Sequence, residues 1–140
     1  MSSSPFLLPV LTLVAWTLVV WAWMYATRIP AMSKAKVELD PNKTGDEMMA
    51  GIPPSVRWKA DNYNHLLEQP TIFYAVALAL AVAGVGEGFG WYCAWAYVGL
   101  RVVHTLIQVT VNNIMARFGV FTLSTFALIG MVVAGFGAVL

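Results

Sequence analysis

Two sets of polar residues sit inside stretches of chain that are otherwise apolar. Tyr97, Arg101, His104, Gln108 and Asn112 recur at spacings of four, three, four and four, which puts all five on one face of a helix. Asp61, Asn64, Glu68 and Thr71 recur at three, four and three, again on one face. An ionisable side chain inside a membrane span costs several kcal/mol unless it is partnered, so each of these is a functional-site candidate. Arginines suit the binding of an anion: Arg101 lies on the first face, and Arg57 and Arg117 lie just outside the apolar runs. Glu68 could pair with Arg101, leaving neither charge bare. His104 and Gln108 would line the same polar pocket.

The elements that hold these faces follow from composition. Hydrophobic residues make up 59% of 140, charged residues 11%, and mean hydropathy is +0.71. A soluble domain carries about 25% charge, so lipid is the expected solvent. The net charge is +1, and no basic patch with interleaved aromatics is present, which sets nucleic acid aside. The single cysteine, Cys93, excludes an intramolecular disulfide and reads as a packing residue. No Cys/His cluster has metal-ligand spacing. The first apolar run lacks a basic leader before it and a small-residue cleavage site after it, so it is expected to be retained.

Four membrane spans are expected in one domain, at about 6–27, 64–85, 91–111 and 118–140. Trp21, Trp23 and Tyr25 mark the end of the first as an aromatic belt. Residues 28–59, with Pro30, Pro41, Pro53 and Pro54 among charged residues, read as an aqueous loop with a short helix near 44–50. The glycine run 84–90 predicts a tight turn, as do Asn112 and Asn113. Gly130 and Ala134 form a small-xxx-small pair on the fourth span.

Six of the eight Lys and Arg lie between residues 28 and 59, and Arg117 lies beside the 112–117 turn. The positive-inside rule then places the long first loop in the cytoplasm and both termini outside it. At 1.5 Å per residue, Glu68 and His104 lie roughly 12–13 Å below the cytoplasmic boundary and Arg101 roughly 18 Å. Those depths would let the two faces meet.

Two segments resemble the membrane-associated proteins in eicosanoid and glutathione metabolism, the MAPEG family. One is Asn64-His-Leu-Leu-Glu68-Gln-Pro70-Thr-Ile-Phe73-Tyr74. The other is Arg101-Val-Val-His104-Thr105 followed by Gln108 and Arg117, which is similar to the prostaglandin E synthase branch. The resemblance covers nearly the whole chain and is nearest to the bacterial-type branch, with likeness to the microsomal glutathione transferases. It implies an all-α integral membrane protein, a four-transmembrane-helix bundle assembled as a homotrimer. It implies glutathione in a cytoplasm-facing cleft between subunits, with a lipophilic substrate entering from the lipid. Carried over, Arg117 is the catalytic stabiliser of the thiolate. Asn64, Glu68, Arg101, His104, Gln108 and Arg57 bind glutathione. The chain departs from the family at Ala60, where an arginine is usual, and at Gln108, which replaces a tyrosine. These departures define the alternative reading: a non-catalytic scaffold, or an accessory subunit of a larger membrane complex.

Overall fold

The computed structural model describes residues 3–140, and among them the regular structure is entirely helical. The helices are α1 (Leu7–Ala35), α2 (Gly45–Met48), α3 (Pro54–Leu66), α4 (Pro70–Val82), α5 (Phe89–Thr110) and α6 (Ile114–Val139). Three helical stretches are long and apolar enough to cross a membrane: Leu7–Ala35, Pro54–Val82 and Ile114–Val139. The second joins α3 and α4. The 22 residues of α5 fall outside that set because Arg101, His104 and Gln108 dilute its apolarity.

Each helix except α2 buries one narrow stripe. On α1 it is Val10, Leu13, Thr17, Val20 and Met24, at spacings of three and four. The opposite side leaves Leu8, Leu11, Leu18 and Val19 exposed, as suits a helix solvated by lipid. On α4 the stripe is Pro70, Phe73, Ala77 and Leu80, and on α6 it is Ser124, Leu128 and Met131. α5 buries most: Gly90, Ala94, Tyr97, Val98, Arg101, His104, Thr105, Gln108 and Val109. It packs along α6 and also touches α1 and α3, so its polar face lies in the middle of the bundle.

In lipid, packing rests on close van der Waals approach rather than on the hydrophobic effect. The α5–α6 contact shows how. A Cβ placed on Gly130 would stand 2.7 Å from Cys93 Sγ and 3.3 Å from Phe89 Cζ. A Cβ on Gly90 would stand 3.0 Å from the Ala134 Cβ. The Gly130/Ala134 pair thus seats α6 against α5 of its own chain. Between α4 and α5, Phe73 stacks on Tyr97 with centroids 4.7 Å apart.

The turns follow their residue types. Gly84 ends α4 at φ 74°, and the Val85 amide closes back on Leu80 O at 3.1 Å. Asn112 ends α5 at φ 49°, a left-handed conformation that asparagine tolerates, and its amide donates to Ile107 O at 2.7 Å. Thr44 and Glu47 form a reciprocal capping box on α2. One bound differs from the expectation: α1 runs on to Ala35 past Pro30. The helix expected to resume near Val56 does so, with α3 beginning at Pro54. Proline suits the first turn of α3, where no intrahelical amide bond is lost.

Candidate functional site

Arg101 is completely buried at the centre of the bundle. Its Nη2 donates to His65 Nδ1 at 2.8 Å. Arginine has no acceptor, so Nδ1 accepts and the His65 proton resides on Nε2. Thr105 Oγ1 donates to Arg101 O and accepts from Asn62 Nδ2 and from Trp16 Nε1, each at 3.1 Å. One hydroxyl therefore ties α1, α3 and α5 together. A second relay runs from Tyr97 Oη to Gln69 Oε1 at 3.1 Å, and from Gln69 Nε2 to Thr125 Oγ1 at 3.0 Å. It joins α5, the entry to α4, and α6.

These networks are not closed. Arg101 Nε and Nη1, Asn62 Oδ1, His104 Nδ1 and Gln108 Oε1 are buried without hydrogen-bond partners. Buried polar atoms are normally satisfied, so this concentration on the α5 face calls for a physical cause.

Toward the α5–α6 turn the interior opens. The His65 and His104 rings stack with centroids 5.0 Å apart and 17° between planes, and Phe121 lies 5.3 Å from His65. A cleft of about 210 Å³ is lined by these two histidines with Ile114, Arg117, Phe118 and Phe121. Arg117 sits in the first turn of α6, where the Asn113 side chain caps the helix by accepting from the Ala116 amide at 3.0 Å. The neighbouring Asn112 accepts from Arg117 Nη1, while Arg117 Nε is buried without a partner. The helix end adds partial positive charge to the guanidinium. No carboxylate lines this cleft. It can therefore hold an anion or a thiolate against a fixed cation.

A family model described as the MAPEG family matches residues 6–137, nearly the whole chain. The chain belongs to the MAPEG family. No curated protein and no solved structure matches it. Membership, with the three apolar helical stretches, makes this a multi-pass integral membrane protein. It supports a glutathione-related or kindred membrane role in general terms.

Within this MAPEG chain the expected site residues other than Glu68 fall in two places. Arg101, His104 and Gln108 are buried on the inward face of α5, and Arg117 closes the cleft beside His104. Asn64 and Arg57 line a different cleft of about 150 Å³, with Arg28, Asp46 and Asp61. There Arg57 pairs with Asp46 at 3.3 Å, the one ion pair among the described residues.

The expected Glu68–Arg101 pair does not form. Asp61, Asn64, Glu68 and Thr71 are all exposed, so their shared face points away from α5. The cause is local. The helix ends at Leu66 and restarts at Pro70, which has no amide to donate. The amides of Leu67, Glu68, Thr71 and Ile72 instead bond three residues back, at 2.9–3.3 Å. Glu68 lies within that break. His65, and not Glu68, meets the guanidinium.

Sequence reasoning gave no role to His65, Asn62, Gln69 or Thr105. A signal existed. Asn62, Leu66, Gln69 and Phe73 recur at four, three and four and lead directly into the buried Ala77 and Leu80. The inward face of a span is the one that continues into its packed apolar stripe, and not the one richest in charge.

Proposed function

We propose that this MAPEG protein is a homotrimeric, glutathione-dependent transferase or peroxidase acting on lipophilic electrophiles, nearest to the bacterial-type branch. The observation that carries the reading is Arg117: a guanidinium at a helix N-terminus, braced by Asn112, facing a cleft with His104 and no carboxylate. A thiol held there experiences two favourable influences on its thiolate, a charge that does not deprotonate and the helix end. In a transfer, the sulfur bonds to the electrophilic carbon. The displaced electron pair leaves on the departing group or on the oxygen of an opened ring, and the thiol proton passes to water at the mouth.

The unpartnered donors fit glutathione, which carries two carboxylates and several amide acceptors. Arg101 Nε and Nη1 and His104 Nδ1 are the groups such a ligand would complete. Gln108 offers an acceptor to a ligand amide. Asn64, Glu68 and Arg57 would contribute from the outward face of a neighbouring subunit, and that face supports the trimer. An exposed Asp61, Asn64, Glu68 and Thr71 on a span would otherwise meet lipid, at several kcal/mol per charge. In this arrangement α5 is the remaining span, its polar stripe tolerated because it is buried. The first loop is cytoplasmic and both termini lie on the other side.

The second reading, a scaffold or accessory subunit of a larger membrane complex, is favoured by one observation. Within a subunit, Arg57 and Asn64 open on a cleft that does not include Arg117. A thermal-shift titration with glutathione, followed by turnover with several lipophilic electrophiles, separates the two. Arg117→Leu should leave the assembly folded and cut turnover roughly a hundredfold or more, the scale of losing one charge stabiliser. Arg117→Lys should restore only part. Turnover unchanged in Arg117→Leu would overturn the role given to Arg117. Absence of both binding and turnover in the wild type would establish the accessory reading.

A further inference from the structure

The end of the bundle opposite Arg117 carries a groove with a different chemistry. It is an open groove of about 690 Å³ between the start of α1 and the α4–α5 turn, and its lining includes Ser3, Ser4, Leu8, Leu11, Glu87 and Trp91. Glu87 carries the one formal charge of the whole 69–100 stretch. It has no ion-pair partner among the described residues. An exposed carboxylate with no cation beside it can take one up.

We propose that this groove binds phosphatidylethanolamine. The three parts of that lipid each meet a matching group. The primary ammonium has a carboxylate at Glu87 and an indole at Trp91, the residue type that gives the strongest cation–π attraction. The indole is held in place because Trp91 Nε1 donates to Pro5 O at 3.1 Å. The phosphate has the hydroxyls of Ser3 and Ser4. Ser4 Oγ already accepts from the Phe6 amide at 3.2 Å, which leaves its proton free to donate. The acyl chains have Leu8 and Leu11, each 62% exposed on the side of α1 that faces away from the bundle. An anionic lipid fits poorly. No Lys, Arg or His lines the groove, and a second negative charge would face Glu87. A quaternary ammonium would lack the N–H donors that a carboxylate takes up.

The proposal does not depend on glutathione chemistry, and native mass spectrometry tests it directly. The intact protein is taken from micelles or nanodiscs holding equimolar phosphatidylethanolamine and phosphatidylglycerol. The wild type should retain phosphatidylethanolamine in preference. Glu87→Gln, on an exposed turn, should melt as the wild type does and lower that preference roughly three- to fivefold, the scale of one interfacial ion pair. Glu87→Lys should turn the preference toward phosphatidylglycerol. Equal retention of the two lipids by the wild type, or an unchanged preference in both variants, would overturn the proposal.

Discussion

Replacing Arg101 with methionine should leave the ligand-free protein as stable as the wild type, or more so, while abolishing its response to glutathione. The side chain is completely buried, and no carboxylate forms an ion pair with it. Of its donors, Nη2 bonds to His65, while Nε and Nη1 have no partner. Each unmade bond of a buried group costs about 1–3 kcal/mol, so the two together cost about 2–6. The bond to His65 returns about 1.5–3 kcal/mol as a charge-assisted contact. Methionine retains much of the volume and adapts to irregular space. The expected change runs from about zero to a gain of about 3 kcal/mol, with His65 Nδ1 losing a partner as the main offset.

The assay is thermal melting in one detergent at one protein concentration, since assembly makes the midpoint concentration-dependent. It is repeated across a glutathione titration. For the wild type, ligand at a hundred times its dissociation constant should add about 2.7 kcal/mol. For Arg101→Met that increment should vanish. A loss of more than about 3 kcal/mol in the ligand-free variant would refute the reasoning. It would mean that an anion already compensates Arg101 in the resting protein.

Three further outcomes follow from the geometry. Gly130→Ala should destabilise by about 1–3 kcal/mol, because its Cβ would lie 2.7 Å from Cys93 Sγ. Adding Cys93→Ala should recover most of that loss, and additive melting shifts in the double variant would count against the contact. Asn112→Ala should lower glutathione turnover and raise the pH at which it reaches half-maximum, since Arg117 loses its brace; an unchanged pH profile would show that Asn112 does not position it. Reporter fusions after Leu140 should be active outside the cytoplasm and those within residues 35–50 inside, with the reverse pattern overturning the topology.

The helical, lipid-solvated character of the chain was legible because composition alone demands it. The turns were legible because Gly84 and Asn112 are residue types that accept positive φ. So was the inward face of α5: five polar residues at helical spacing had to be buried together, and Tyr97, Arg101, His104 and Gln108 are. The second polar face was legible as a face but not as to its direction. Periodicity gives the angle between residues on one helix and nothing about which side meets a neighbour. Two further things were out of reach. One is the break at residues 67–69, where Pro70 was visible but the tightened bonds before it were not. The other is the partner of Arg101. Charge matching nominated Glu68, whereas the contact that forms is with a neutral imidazole, which only three-dimensional placement could select.

The two polar sides of the 61–71 stretch bear on what one subunit can do. His65 and Gln69 turn inward to Arg101, Tyr97 and Thr125, while Asn64 and Glu68 turn outward. The inward side leaves donors of Arg101 and acceptors of Asn62 and Gln108 unpartnered, and the outward side has no ion-pair partner among the described residues. Neither deficiency can be relieved by rotating α3, because rotation toward one face withdraws the other. An anionic ligand relieves the first and a neighbouring subunit the second. On this reasoning a variant held monomeric should lose glutathione binding even with Arg101, His104 and Arg117 all in place. Retention of full affinity by the monomer would place the whole site within one chain.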